Sequence, residues 1–232
     1  MNNCVYLIPT VLDDSVTETI PPYVLEAIKD CSVFFVENER TTRRFLKNLD
    51  KEIIIDDYEW FQIHKQEEGQ IAIFKNKIKE GKNIGIISEA GCPGVADPGQ
   101  LLIEAAQKLN VCIKPLVGPN SILLALMASG MNGQQFKFNG YLPIDSHQQI
   151  TTLKELETES KKKNLTQIFI ETPYRNNQLL ETIIKTCHPS TRICVAAEIT
   201  SVNEFIKTKT VEEWKTQKPD LHKKPVIFLL QS

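Results

Sequence analysis

The most informative segment of the sequence is Ile84-Gly85-Ile86-Ile87-Ser88-Glu89-Ala90-Gly91-Cys92-Pro93-Gly94-Val95-Ala96-Asp97-Pro98-Gly99. Its first four residues form a short apolar run, which predicts a buried strand, and a helical pattern starts near Gly99. The twelve residues between them, Ser88 to Gly99, therefore form a strand-to-helix loop. Open α/β sheets bind their ligands beyond the carboxyl ends of strands, where this loop lies. The sequence predicts a ligand-binding loop, with an ordered turn that binds nothing as the alternative.

The composition of the loop indicates which ligand it suits. Three glycines and two prolines in twelve residues favour a rigid loop whose backbone approaches a ligand closely. Neither the GxxxxGK[ST] pattern nor the GxGxxG pattern is present, so a nucleoside triphosphate or a dinucleotide is not indicated. The acidic Glu89 and Asp97 fit a cationic or hydroxyl-rich ligand better than a phosphate-rich one.

Outward from this loop, short β-branched runs alternate with segments of helical period, which is typical of βαβ units and a largely parallel sheet. The predicted strands of the first half are Val5–Ile8, Val33–Glu37, Ile53–Ile55, Ile84–Ser88 and Val111–Pro115. The predicted helices are Pro21–Asp30, Thr41–Asn48 with Thr41 as N-cap, Gln66–Glu80, Gly99–Leu109 and the apolar Asn120–Ser129, expected to be buried on most sides.

The residue pattern of the sequence changes after residues 129–133, and a second α/β half follows. Its predicted strands are Phe136–Tyr141, Gln167–Glu171, Ile193–Glu198, Val226–Leu230 and a more polar Val202–Lys209, and its helices are His147–Lys163 and Asn176–Cys187. We therefore expect an α/β fold of two domains, residues 1–117 and 118–232, with the apolar helix as the hinge element.

Composition excludes several classes of protein. The 232 residues include 27 Lys and Arg against 29 Asp and Glu, so the chain is no globally basic nucleic-acid binder. A hydrophobic content of 41% is enough for a substantial core, and no stretch reaches the roughly 18 apolar residues of a membrane span. The first residues lack the pattern of a signal peptide. Six scattered cysteines without a CxxC pair favour reduced thiols in a cytoplasmic protein, and no metal site is expected.

A second polar cluster, Glu37-Asn38-Glu39-Arg40-Thr41-Thr42-Arg43-Arg44, begins at the end of the strand predicted from Val33 and so belongs to the same rim as the 88–99 loop. Its arginines suit contact with an RNA backbone, whereas a solvated helix N-terminus is the alternative. Arg175 is either a further phosphate contact or a surface arginine. Gly118-Pro119-Asn120-Ser121 is either a helix cap or part of the ligand site.

These motifs, together with Leu7-Ile8-Pro9, Phe138–Pro143, ETPYR (171–175) and Ala196-Ala197-Glu198-Ile199-Thr200, occur in an order and spacing that resemble the tetrapyrrole methylase superfamily. Within it the chain is most similar to the ribosomal RNA small subunit methyltransferase I branch. That branch transfers a methyl group from S-adenosylmethionine to a cytidine 2′-hydroxyl of 16S rRNA.

The resemblance implies two α/β domains with a cofactor cleft between them, and a homodimer. The residues that would surround S-adenosylmethionine are Pro9, Glu89, Ala90, Gly91, Cys92, Ser121, Ile122, Thr172, Ala197 and Pro225. The residues that would bind RNA are Arg40, Arg43, Arg44 and Arg175, with Glu37 and Glu39 as the nearest carboxylates for the proton of a 2′-hydroxyl.

Two other functions stay open from the sequence. Asn38, Thr41, Tyr174 and Ala197 depart from the residues usual in that branch. The acceptor could accordingly be a tetrapyrrole or another small molecule, and the chain could also be a non-catalytic relative that binds the cofactor or RNA.

Overall fold

The computed structural model describes residues 3–63 and 67–232 and divides the chain into two compact units, Met1–Asn120 and Ser121–Ser232. The boundary expected from the sequence lies between residues 117 and 118. Each unit is built around its own five-stranded sheet, so the chain has the α/β class that the alternation of strands and helices predicts.

The first unit contains a parallel sheet. Its strands are β1 (Cys4–Ile8), β2 (Val33–Val36), β3 (Glu59–Gln62), β4 (Ile84–Ile87) and β5 (Cys112–Pro115). Their order is β3-β2-β4-β1-β5, and every neighbouring pair is parallel. The carboxyl ends of β1, β2 and β4 therefore lie side by side at one edge of the sheet.

Helices cover both faces of this sheet. They are α1 (Tyr23–Asp30), α2 (Glu39–Leu49), α3 (Glu67–Lys79) and α4 (Gln100–Lys108). Successive side chains of a strand point to opposite faces, so Phe34 packs with buried residues of α1 and α2, and Phe35 with those of α3 and α4. Gln66, the predicted first residue of α3, lies outside the described residues.

The second unit contains a mixed sheet. Its strands are β6 (Phe136–Tyr141), β7 (Thr166–Ile170), β8 (Arg192–Ala197), β9 (Phe205–Thr210) and β10 (Val226–Gln231), in the order β6-β7-β10-β8-β9. Only β6 and β7 are parallel among the neighbouring described strands, and the other three pairs are antiparallel. The prediction of a largely parallel sheet is wrong for this unit, because β10 returns to insert between β7 and β8.

The helices of the second unit are α5 (Ser121–Ser129), α6 (Ser146–Lys163), α7 (Asn176–Thr186) and the short α8 (Val211–Trp214). Buried side chains of α6, α7 and α8 form one core with β7, β8 and β10. Helix α5 packs against β9 and β10. Its other side is open, since Met127 is 78% exposed, so the expectation that this helix is buried on most sides is wrong.

Two local predictions in the first unit are also wrong. The expected strand Ile53–Ile55 is irregular and runs into a 3-10 turn at Ile55–Asp57, and the strand at this edge is instead the more polar β3. The N-cap of α2 is Asn38 rather than Thr41. The Asn38 Oδ1 atom accepts the backbone N–H groups of Arg40 at 3.1 Å and Thr41 at 3.4 Å, which is the usual geometry of an asparagine cap.

Within residues 3–63 and 67–232, no helix is both long enough and apolar enough to cross a membrane. The same residues contain no group of three or more His, Cys, Asp or Glu side chains placed to hold a metal ion.

Candidate functional site

The carboxyl edge of the first sheet gathers the polar segments of the first unit. Pro9 follows β1, Glu37 follows β2, and the 88–99 loop (Ser88 to Gly99) follows β4. Pro9 is buried, whereas Glu89 and Ala90 are exposed. The parallel register of the three strands brings these segments to one edge, as the sequence predicts.

Backbone hydrogen bonds fasten the start of the loop to the segment after β1. The Thr10 N–H donates to Gly91 O at 2.8 Å, and the Gly91 N–H donates to Thr10 O at 3.2 Å. Thr10 Oγ1 also donates to Ser88 O at 3.3 Å. Gly91 has φ of +75°, a conformation that favours glycine, so the loop turns here at no steric cost.

The cluster that follows β2 contacts the same loop. Glu37 Oε2 accepts the backbone N–H of Glu89 at 2.9 Å, and the Thr41 hydroxyl donates to Glu89 Oε1 at 3.3 Å. The first contact holds the loop backbone, and the second orients the exposed carboxylate. The Glu37 carboxylate is therefore used in positioning the loop.

Asp97, in the second half of the loop, has an altered titration. Partial burial, reinforced by the negative charge of Glu37, raises the pKa of Asp97 to about 6, against an ordinary value of 3.8. A hydrogen bond with Ser88 opposes the shift, and the charge of Glu89 adds to it. The loop thus carries a carboxyl group that titrates close to neutral pH.

The end of the loop is held by a residue distant in sequence. Gly99 is the N-cap position of α4 and has no side chain to accept the first N–H groups of that helix. Glu67 Oε1, from the first turn of α3, accepts the N–H groups of Leu101 at 2.7 Å, Gly99 at 3.2 Å and Leu102 at 3.3 Å. The Glu67 carboxylate replaces the missing cap and also matches the positive end of the helix dipole.

The Gly118-Pro119-Asn120 segment contacts both Pro9 and the loop. A Cβ atom built on Gly118 would lie 2.1 Å from Pro9 Cβ, so only glycine allows this approach. The Cys92 thiol donates to Pro119 O at 3.6 Å, and burial raises the pKa of Cys92 despite a hydrogen bond with Asn120. Pro9, the loop and this segment therefore form one packed group within the first unit.

In the second unit, three of the predicted cofactor residues share one edge of the sheet. Thr172 follows β7, Ala197 ends β8, and Pro225 precedes β10. Because β10 is antiparallel to both neighbours, these ends coincide, and the Glu198 N–H donates to Pro225 O at 3.0 Å. Ser121 and Ile122 form the first turn of α5, which packs on β9 and β10 of the same unit.

Unusual backbone conformations occur just beyond β8. Glu198 has φ of +51° and Thr200 has φ of +72°, and the left-handed region is rare for a β-branched residue such as threonine. The Thr200 hydroxyl oxygen is buried without a hydrogen bond. Strained residues and unsatisfied polar atoms of this kind concentrate at functional sites.

The predicted RNA-binding arginines differ in their surroundings. Arg43 pairs with Glu39 at 2.5 Å, and its guanidinium carbon lies 5.3 Å from the centre of the Trp60 ring. Arg44 pairs with Asp14. Arg40 is exposed on the rim. A cavity of about 400 Å³ adjoins these side chains and is lined by Asn38, Glu39, Arg40, Arg43 and Gln62.

Arg175 is turned toward its own unit. Its Nη2 atom lies 3.4 Å from Glu171 Oε2, a carboxylate that is almost fully buried, and donates to Ile144 O at 3.4 Å. The guanidinium, itself half-buried, therefore compensates a buried charge within its own unit.

The sequence model of the family described as "Tetrapyrrole (Corrin/Porphyrin) Methylases" matches residues 15–215, which is most of the chain. The chain belongs to this family. The resemblance stated from the motifs is confirmed, and with it the assignment of the chain to a family of methyltransferases.

Curated relatives of this tetrapyrrole methylase carry the name ribosomal RNA small subunit methyltransferase I. The protein from Buchnera aphidicola subsp. Schizaphis graminum is 29% identical over 228 residues, 97% of this chain and 76% of that protein. The protein from Bacillus subtilis is 30% identical over 208 residues, 90% of this chain and 68% of that protein.

Solved structures share the fold. Diphthine synthase superposes with a TM-score of 0.69 at 13% identity and covers 99% of this chain and 89% of its own. The methyltransferase CobJ superposes with a TM-score of 0.66 at 16% identity and covers 100% of this chain and 95% of its own. These likenesses establish the two-sheet α/β architecture of the tetrapyrrole methylase.

Sequence reasoning missed two residues that shape the site of this tetrapyrrole methylase. Thr10 pairs with Gly91, and Glu67 caps α4. Glu37 was predicted at this edge as a candidate carboxylate, and the structure shows it holding the loop backbone. Thr10 comes two residues after β1, so its nearness to the loop could have been inferred. Glu67 gives no local signal, because its partners lie 32 to 35 residues away in the sequence.

Proposed function

We propose that this tetrapyrrole methylase transfers a methyl group from S-adenosylmethionine to ribosomal RNA of the small subunit, at the 2′-hydroxyl of a cytidine in 16S rRNA. The observation that carries the proposal is the match to relatives named ribosomal RNA small subunit methyltransferase I over 97% of the chain. The edge of the first sheet, with its fixed 88–99 loop, supports the same conclusion.

The residues of the first unit fit this cofactor by their chemistry. S-adenosylmethionine has ribose hydroxyls, an amino acid group and an adenine, and lacks phosphates. The exposed Glu89 carboxylate suits the hydroxyl or ammonium groups, and the backbone of Ala90, Gly91 and Cys92, beside Pro9, suits a flat ring. When bound, the cofactor supplies an activated methyl group on a sulfonium, and its thioether is the leaving group.

The second unit would complete the site. Ser121 and Ile122 begin α5, and Thr172, Ala197 and Pro225 share one sheet edge. We propose that these five residues contact the cofactor as well. The unsatisfied Thr200 hydroxyl and the left-handed Glu198 lie just beyond Ala197, and this local strain supports a binding role for that edge.

On the acceptor side, the chain has to hold the RNA and remove a proton from the attacking hydroxyl. Arg40, exposed beside the 400 Å³ cavity, is the arginine best placed to meet a phosphate. Glu37 holds the Glu89 N–H and Glu39 pairs with Arg43. These partners favour a positioning role for both carboxylates over proton acceptance.

The proposal also includes the homodimer that the resemblance implies and the cytoplasmic location that the cysteine pattern favours. Cys31, Cys92, Cys187 and Cys194 are free thiols, which agrees with a reducing compartment. Sedimentation of the purified protein tests the dimer independently of activity.

Transfer of tritium from methyl-labelled S-adenosylmethionine to small ribosomal subunits tests the function. Subunits are needed from cells that lack the enzyme, so that the acceptor is unmodified. We expect label in 16S rRNA that survives alkaline hydrolysis in a dinucleotide, because a 2′-O-methyl group blocks cleavage at its own linkage. The Glu89→Ala variant serves as the control for a cofactor-dependent signal.

Label found on a precorrin-type tetrapyrrole, but not on RNA, would replace the proposed acceptor with a small molecule. Cofactor binding without label on either acceptor would replace the proposed enzyme with a non-catalytic relative.

A further inference from the structure

An exposed aromatic side chain stands beside the predicted cofactor edge of the second unit. Tyr174 lies in the turn after β7, two residues beyond Thr172, and 70% of its surface is exposed. This large amphipathic ring does not pack into the hydrophobic core of its unit.

The surroundings of Tyr174 are built by a second segment of the same unit. The Lys223 N–H donates to Pro173 O at 2.9 Å, which ties the segment before β10 to the turn that carries Tyr174. Lys223 has φ of +61°, an uncommon conformation for a lysine. This backbone places the Lys223 ammonium 5.9 Å from the centre of the Tyr174 ring.

His222 supports the ring from another side. Its ring centre lies 5.8 Å from that of Tyr174, with the planes at 74°, so the contact is edge to face. The backbone N–H of His222 donates to Asp220 Oδ1 at 3.0 Å, and Asn177 Nδ2 donates to the same oxygen at 2.8 Å. The aromatic pair is therefore anchored to the first turn of α7.

Lys223 differs in its ion pairing from the cationic side chains around it. Lys224 pairs with Glu198 at 2.7 Å, and Arg175 is held by Glu171. In the described parts of the chain, Lys223 has no carboxylate within ion-pair distance. Its positive charge remains beside the ring and faces solvent with it.

We propose that Tyr174, His222 and Lys223 form a stacking platform for an unpaired base of RNA. An unstacked base lies on the Tyr174 ring, and the Lys223 ammonium meets the adjacent phosphate. Exposed aromatic rings flanked by lysine or arginine are how proteins hold single-stranded RNA. This inference rests on the proposed function, since it names a further surface for the same RNA substrate.

The test uses fluorescence anisotropy with a fluorescein-labelled single-stranded oligocytidylate of twelve nucleotides at 50 mM KCl. Stacking of one base contributes roughly 1 to 3 kcal/mol, so we expect Tyr174→Ala to raise the Kd about 5-fold to 150-fold. Tyr174→Trp should keep the Kd within about 2-fold, because tryptophan also stacks. Lys223→Ala should lower the slope of log Kd against log salt by about 0.7.

Two controls separate stacking from a structural effect. Tyr141, which is 63% exposed at the end of β6, gives the matched variant Tyr141→Ala, and its Kd should stay within about 2-fold of the wild type. An oligomer of the same length with abasic sugars should bind the wild type and Tyr174→Ala equally, since it offers no ring to stack.

Equal binding of oligocytidylate by the wild type and Tyr174→Ala would overturn the platform and leave the proposed function intact. A wild-type protein that binds neither oligocytidylate nor small ribosomal subunits would overturn both. Loss of binding by Tyr174→Ala on the abasic oligomer as well would also overturn the platform, because the effect would then not depend on the base.

Discussion

Replacement of Glu67 by alanine tests the long-range cap that fixes the end of the 88–99 loop. One carboxylate oxygen accepts three N–H groups at the start of α4, at 2.7, 3.2 and 3.3 Å. Loss of an N-cap acceptor costs about 0.5 to 2 kcal/mol, and the helix dipole adds to this value for an anion. Since Glu67 is partly exposed, we expect a loss of about 1 to 2 kcal/mol in the free energy of unfolding.

The neighbouring residue supplies the control. Glu68 lies in the same first turn of α3 and is exposed, so Glu68→Ala removes the same charge from the N-terminus of α3 without removing the cap of α4. It should change the free energy of unfolding by no more than about 0.5 kcal/mol. Glu67→Gln keeps a neutral acceptor and should lie between the two variants.

Thermal unfolding followed by circular dichroism measures the effect. For a chain of this length, a loss of 1 kcal/mol lowers Tm by roughly 2 to 4 °C, so Glu67→Ala should melt about 2 to 8 °C below the wild type. If Glu67→Ala and Glu68→Ala melt at the same temperature, the three hydrogen bonds of Glu67 contribute nothing to stability and Glu67 is not the cap of α4.

Three further predictions concern the same rim. Gly118→Ala should cost about 1 to 3 kcal/mol in unfolding by denaturant, because its Cβ would lie 2.1 Å from Pro9 Cβ, whereas Gly133→Ala, with open space around it, should be nearly neutral. The raised pKa of Asp97 means that the folded protein favours the protonated carboxyl group. The resulting contribution to the free energy of unfolding is complete below about pH 3.8 and is lost as the pH rises through about 6. Asp97→Asn should therefore raise Tm at pH 8 and leave it unchanged at pH 4; a rise at both would exclude ionisation as the cause. Arg40→Ala should weaken binding of small ribosomal subunits and lower its salt dependence by about one counterion, and an unchanged slope would remove Arg40 from the RNA surface.

The sequence predicts the first sheet well where its strands are buried on both faces. The strands β1, β2 and β4 are continuous apolar runs, and the pattern places each within one residue of its observed bounds. The edge strand β3 has polar residues at both ends and was missed in favour of Ile53–Ile55. A short edge strand with polar residues at both ends shows no clear alternation of polar and apolar residues, so pairing with β2 decides where the strand lies.

The second sheet shows a different limit. The pattern identifies all five of its strands, yet it does not give their directions. Alternating strands and helices favour parallel neighbours, and here β10 pairs antiparallel with both β7 and β8. The order is fixed by the return of the last strand to the centre of the sheet, which no local spacing reveals.

The candidate site was predictable where it follows strand ends. Pro9, Glu37 and the 88–99 loop each come directly after a parallel strand, so the sequence places them at one edge. Partners outside that rule were not predictable. Glu67 reaches α4 from a separate helix, and Arg44 pairs with Asp14, 30 residues earlier in the chain. The pair of Glu39 and Arg43, by contrast, follows the i,i+4 spacing of a helix.

Isothermal titration with S-adenosylhomocysteine and S-adenosylmethionine measures whether the protein binds this cofactor at the proposed site. We expect the wild-type protein to bind both, and Glu89→Ala and Ser121→Trp to lose that binding while they keep the wild-type circular dichroism spectrum. That result would support cofactor contacts from both units of the tetrapyrrole methylase. Absence of binding to the wild-type protein would contradict the proposed methyltransferase, and full binding by both variants would contradict the proposed site.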